Sequence, residues 1–375
     1  MDSDQNPANT QPFVAESHPL ETVAGLVHPH QLEVQDFSAY ALIVDARPSH
    51  DFAEDHIPAA VNLPVLSDAQ YAEVEAHLHA DRHHALLTGA GYARSNMAAH
   101  VPTVFAGVAL GERVLVYGAG GDVRGSLCAD ALREIGFVVD ELLGGWKNYR
   151  RWVGAGLALL PRLFMVRVLG GPSGCGQARL LQELSRQGQQ VLDLAQLAAH
   201  DGSLLGAQSG RPQPAQPLFE SLLLDALRHR DAWRPLWVTA TTTTLGTLQL
   251  PDELFEAIQR APIFEIAAPM SERIKLWFQV HPQDAADPVA LVESLSSKSQ
   301  LVSPVRLIDW RRLALAGQTK ALVEQVLTYE DELASTRSAD AHYQHPIPLA
   351  TIQLESLESS AIAEVAAGLI ARTRG

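Results

Sequence analysis

Two glycine-rich stretches carry the clearest chemical potential in this sequence. The first, Tyr117-Gly118-Ala119-Gly120-Gly121-Asp122-Val123-Arg124-Gly125-Ser126, follows the apolar run Arg113–Tyr117 and opens a helical stretch, Ser126–Ile135. A loop between a strand and a helix N-terminus gathers backbone N–H groups at the positive end of the helix dipole. Such a loop holds an anion or stabilises a thiolate at its head, and Arg124 and Ser126 are placed to add donors. No Cys, Ser or Thr stands at 117–120, and Cys128 lies on the following helix, so the nucleophile is missing. A glycine-rich turn without chemistry fits the same residues.

The second stretch, Gly171-Pro172-Ser173-Gly174-Cys175-Gly176-Gln177-Ala178, has the length, glycines and strand-to-helix setting of the phosphate-binding loop G-x-x-x-x-G-K-[ST]. The lysine position is Gln177 and the magnesium-ligating hydroxyl position is Ala178. Arg179, two residues along a helix, faces elsewhere. The strand expected to hold a metal-binding acid reads Leu236-Trp237-Val238-Thr239-Ala240-Thr241, without one. Backbone donors survive these changes, so weak phosphate or diphosphate binding is expected over Gly171, Ser173, Gly174, Cys175, Gly176 and Gln177. Magnesium-assisted nucleotide hydrolysis is not.

Other residues weigh less. His77, His79, His83 and His84 crowd one helix and His28 and His30 form a second pair, but no acid or cysteine frame completes a metal site. No metal is therefore expected. Cys128 reads as a buried apolar thiol and Cys175, at a helix start, as a thiol lining the turn; Cys128 or Cys175 is the alternative nucleophile. Arg150-Arg151-Trp152 and Arg228-His229-Arg230 read either as RNA-phosphate contacts or as solvated helix ends.

These residues need elements to position them. Apolar runs at Ala41–Asp45, His56–Pro64 (a strand entering a turn), Arg113–Tyr117 and Phe137–Leu143 alternate with helical stretches, including the helix read over 67–100. The series breaks near Gly154–Pro161. It restarts with strand Leu163–Leu169, helix Ala178–Arg186, strand Gln190–Leu194, helix Leu218–His229, strand Leu236–Thr239, helix Pro251–Arg260 and strand Pro262–Ala267. Alternation with continuous rather than period-2 apolar strands predicts two α/β units, each with a parallel sheet covered on both faces. The expected division is a loose end at 1–20, α/β units at 21–155 and 160–285, and a mainly helical segment at 286–375. Within that segment Gln318–Arg337, charged and free of glycine, reads as an exposed helix.

The chain has 43 acidic and 28 basic residues, a formal charge of −15, with 47% hydrophobic and 19% charged residues. That excludes a disordered chain. Only four lysines occur: Lys147, Lys275, Lys298 and Lys320. Any RNA partner must meet a local arginine patch, since the bulk charge repels nucleic acid. Two cysteines make no disulfide framework, and neither a membrane-length apolar run nor a signal-peptide pattern is present, so a cytoplasmic protein without membrane attachment is expected.

The first half resembles a rhodanese domain through Asp45-Ala46-Arg47, Asp51-Phe52, His56-Ile57-Pro58-Ala59-Ala60, Pro64 and the closing Leu143-Gly144-Gly145-Trp146. A rhodanese followed by a P-loop-like α/β domain resembles the bacterial tRNA 2-selenouridine synthases. Asp193-Leu194, Leu197–Ser203, Gly206, Gln213-Pro214 and Phe219-Glu220 agree. The resemblance implies action on wobble 2-thiouridine of tRNA: geranylation of sulfur from geranyl diphosphate, then replacement by selenium from selenophosphate. It implies a rhodanese cysteine carrying selenium and a diphosphate at the P-loop. The cysteine position here is Tyr117 or Gly118, and Asp122 puts negative charge where an incoming anion would sit. The expected protein is thus a family member with selenium transfer lost or impaired, or, alternatively, a non-catalytic tRNA- or protein-binding relative. No cofactor is required. Arg124, Lys147, Arg150 and Arg151, beside the first loop, are the expected tRNA contacts.

Overall fold

The computed structural model describes residues 37–373 apart from 79, 121–123, 201–202, 205, 207–210, 298–301 and 339–347. Expectations for His28, His30, His79, Gly121, Asp122 and Lys298 fall outside the described residues. The first half contains β1 (Leu42–Asp45), α1 (Ser49–Glu54), β2 (Val61–Asn62), α2 (Asp68–Leu78), α3 (Arg82–Val104), β3 (Arg113–Tyr117), α4 (Arg124–Ile135), β4 (Val138–Glu141) and α5 (Gly145–Leu159). Its sheet runs β2-β1-β3-β4 and every pairing is parallel.

The second half contains β5 (Val166–Gly170), α6 (Gln177–Arg186), β6 (Gln190–Leu192), α7 (Leu194–Ala198), α8 (Gln216–Arg228), β7 (Leu236–Thr239), β8 (Thr244–Leu245), β9 (Leu248–Gln249), α9 (Asp252–Arg260) and β10 (Ile263–Ala267). The helical segment follows as α10 (Met270–Val280), α11 (Pro282–Ala286), α12 (Pro288–Ser296), α13 (Pro304–Leu315) and α14 (Thr319–Ser338), then β11 (Ala350–Gln353) and α15 (Ser359–Arg372). The second sheet, β11-β10-β5-β7-β6, is also wholly parallel, with the strand leading into the second glycine loop at its centre. The antiparallel pair β8-β9 is a separate hairpin. The architecture is α/β: a rhodanese-like parallel-sheet lobe, a P-loop-like lobe and a mainly helical C-terminal segment.

Four sequence expectations change. The helix over 67–100 is two, because Asp81 caps a new start by accepting the His84 N–H at 3.0 Å. No linker occupies 154–160: α5 continues to Leu159 and a tight turn, Leu160–Leu163, leads on. A Cβ on Gly156 would come within 2.5 Å of Leu224 Cδ1, so the glycine permits close packing on α8. Tyr149, Trp152, Val153 and Leu157 of α5 join Ile57 and Tyr117 of the first lobe to Phe219, Leu223 and Leu254 of the second in one buried cluster. The tail contributes a strand, since β11 pairs with β10. Finally, α14 is not simply exposed: Leu322, Val323, Val326 and Leu327 are fully buried. Among the described residues, no helix is long and apolar enough to cross a membrane.

Candidate functional site: two glycine loops and the residues that close on them

At the end of β3, Tyr117 points into the core, and its hydroxyl accepts the Ile57 N–H at 3.1 Å. Burial, followed by the nearby Asp45 charge, holds its pKa well above the ordinary phenol value. Side chains alternate along a strand, so the loop face belongs to Gly118, which has none. The first loop is laced to the start of α5: Trp146 N–H donates to Gly118 O at 2.8 Å and Lys147 N–H to Ala119 O at 3.1 Å. Gly120 has φ +98°, and a Cβ there would overlap the Gly144 carbonyl oxygen; one on Gly145 would come within 2.5 Å of Gly118 O. Glycines on both sides let the two backbones touch. Arg124 is buried over the Tyr71 ring, 4.3 Å from its centroid, and Ser126 is exposed.

The Asp45-Ala46-Arg47 element braces this loop from beneath. Asp45 accepts the Arg47 backbone N–H at 2.9 Å and its Nη2 at 2.6 Å, while Arg47 also donates to Asp55 O and lies over the Trp146 ring. Asp55, 0% exposed, accepts the Ser221 hydroxyl at 2.7 Å and Trp146 Nε1–H at 3.0 Å, with Arg150 Nη1 at 3.3 Å. Desolvation outweighs these donors and raises the Asp55 pKa above the usual carboxylate range. Arg150 donates further to Pro217 O at 2.9 Å and Ser221 Oγ at 3.1 Å, and pairs with Glu220. Its guanidinium is thus committed to the junction between the lobes rather than presented at the sheet edge. Lys147 and Arg151 of α5 are exposed. Arg228 lies over Phe37 and Trp152, and Arg230 donates to Val191 O. Sequence reasoning missed the Asp55–Ser221 junction because 166 residues separate its partners.

In the second loop, Gly171, Gly174 and Gly176 have φ of +123°, +74° and +86°. These are left-handed conformations that glycine adopts without strain. The Gln177 amide folds back, donating to Gly171 O and Pro172 O, both at 2.9 Å. Arg179 is engaged by Gln279 at 2.8 Å and Leu357 O at 3.2 Å. Beyond β7, Thr241 and Thr242 hydroxyls donate to nearby backbone carbonyls. What reasoning from sequence missed is a charged pair that reaches the loop from α10 and α14. Arg273 of α10, 5% exposed, donates Nε–H to Ser173 O at 2.7 Å. Its Nη1 and Nη2 reach both carboxylate oxygens of Asp331 on α14 at 2.8 Å, and Asp331 Oδ1 accepts the Ser173 N–H at 3.3 Å. The partners lie 100 and 158 residues from Ser173, so no local pattern announces them.

Both thiols are enclosed. Cys128 is 0% exposed with Sγ 3.9 Å from Met97 Sδ, and burial pushes its pKa up to about 12. Cys175 is likewise buried, and desolvation raises its pKa despite the Arg273 charge. Among the described residues no group of three His, Cys, Asp or Glu side chains could hold a metal; His77 and His84 pack edge to face.

The rhodanese-like domain model matches residues 30–151, and the model of the tRNA 2-selenouridine synthase AAA domain matches residues 164–295. In this order, a rhodanese-like domain followed by this AAA domain, the chain is similar to the tRNA 2-selenouridine synthases. A relative named tRNA 2-selenouridine synthase from Nitrosomonas europaea is 27% identical over 251 residues, 65% of this chain and 64% of the relative, so the chain spans just under two thirds of it. Relatives of the same name from Sulfurovum sp. and Cupriavidus pinatubonensis are 29% and 28% identical, covering 63% and 78% of this chain and 65% and 82% of theirs.

Proposed function

We propose that this protein is a tRNA-binding member of its family in which the rhodanese loop no longer carries selenium, while the second loop keeps a weakened site for a diphosphate group. One observation supports the loss above others: the loop head is Gly118, and both cysteines, Cys128 and Cys175, are buried with raised pKa values. A selenium carrier needs an accessible thiolate. The relatives' name, tRNA 2-selenouridine synthase, supports tRNA as the substrate class, and the family reading of the two loops supports its thiolated or geranylated form. Geranyl diphosphate is the proposed ligand of the second loop, and selenophosphate would have no acceptor here.

The assay is purified protein with selenophosphate and geranylated 2-thiouridine tRNA, read as nucleoside by mass spectrometry. No selenouridine is expected. Robust selenouridine that vanishes in Cys175→Ser or Cys128→Ser would overturn the reading and name the nucleophile. tRNA binding is measured separately by filter retention at rising salt; absence of binding at low salt would remove RNA from the function.

A further inference from the structure

We propose that Arg273 is the cation of the second glycine loop, and that Asp331 is an internal anion which a diphosphate must displace to reach it. This rests on reading the loop as a diphosphate site, and it assigns the residue that takes the place of the missing lysine. Gln177 cannot do so, because its amide is turned back onto the Gly171 and Pro172 carbonyls. Arg179 is held by Gln279 and Leu357.

Arg273 has the required placement. A guanidinium only 5% exposed needs a partner in reach. Its Nε is pinned to the loop at Ser173 O, which leaves the Nη1–Nη2 edge aimed at one carboxylate. That fork suits carboxylate and phosphate oxygens alike. Asp331 Oδ1 receives two donors at once, Arg273 Nη2 at 2.8 Å and the Ser173 backbone N–H at 3.3 Å. A loop amide and an arginine therefore converge on one anionic oxygen, which is how a phosphate oxygen would be held. The two partners differ in access to water: Asp331 is 30% exposed where Arg273 is 5%. Asp331 is the member free to leave, and its departure would uncover the charge of Arg273 beside the loop.

The test is calorimetric titration of inorganic pyrophosphate into the full chain, with the urea midpoint of every variant measured alongside. Asp331→Asn removes the competing charge at nearly constant shape, and about tenfold tighter binding is expected, the scale of one charge-assisted contact. Arg273→Gln is expected to weaken binding about tenfold, and Asp331→Asn should add nothing in that background. If Arg273→Gln does not fold, Arg273→Lys serves: it keeps the charge, loses the fork, and should still weaken binding. Pyrophosphate binding that is unchanged or weakened by Asp331→Asn, or unaffected at Arg273, overturns this proposal and leaves the loop reading intact. No binding to any variant at millimolar pyrophosphate overturns the loop reading, and this proposal with it.

Discussion

Replacing Asp55 in two different ways should separate the value of its shape from the value of its charge. Asp55 sits between the lobes with Ser221 Oγ, Trp146 Nε1 and Arg150 Nη1 at 2.7, 3.0 and 3.3 Å. Asp55→Ala strips Ser221 Oγ–H and Trp146 Nε1–H of their acceptor and Arg150 of one of its two carboxylates in a buried place. Removing one partner of such an arrangement costs about 3–5 kcal/mol. Because Arg150 keeps Glu220 and Pro217 O, the expected cost lies at the lower end, about 3 kcal/mol. Asp55→Asn keeps the volume, one oxygen for Trp146 and an amide that can donate to Ser221 Oγ. It loses attraction to Arg150 but no longer buries a charge, so about 1 kcal/mol or less is expected. The two variants should then differ by about 1 M in urea midpoint, followed by tryptophan fluorescence. The pH dependence gives a second check. A carboxyl whose folded pKa is raised binds its proton more readily in the folded state, so stability falls as pH rises from the ordinary aspartate range through the raised value. Asp55→Asn should abolish that fall. An Asn variant as damaged as the Ala variant, with the wild-type slope reversed, would refute the reasoning and mark Asp55 as a net-stabilising charge.

Gly171→Ala should destabilise by more than about 3 kcal/mol in urea titrations, since φ is +123° and the new Cβ would overlap Ile266 O; a neutral result would mean the loop relaxes freely. Native protein at pH 8 should leave Ellman's reagent almost unreacted and yield two thiols only after unfolding, because Cys128 and Cys175 are buried; one fast native thiol would revive the rival nucleophile. Lys147→Ala with Arg151→Ala should reduce tRNA retention and lower the salt slope by about two. Arg150→Ala should instead show chiefly as lost stability, and equal effects on tRNA retention from the three would contradict the placement of Arg150 at the lobe junction.

The alternation of strand, glycine loop and helix was legible in the sequence, because continuous apolar runs and capping glycines are local signals. The bounds of β3 and β7 follow directly from Arg113–Tyr117 and Leu236–Thr239. So did the substitutions at the loops: a glycine at 118, a glutamine at 177 and an alanine at 178 are facts of identity needing no coordinates. Tertiary structure decided what those loops face. β11 escaped notice because an edge strand of alternating, part-exposed residues carries no apolar run, and only pairing with β10 makes it a strand. The charges on α14 masked its buried face, which exists because α10 and α12 to α13 pack on it. Arg150 read as surface until Asp55, Glu220 and Ser221 were brought to it, and Arg273 and Asp331 carried no motif at all. A buried charge is tolerable only beside a partner. The chain supplies those partners from 58 to 166 residues away, a distance that folding closes and no local pattern records.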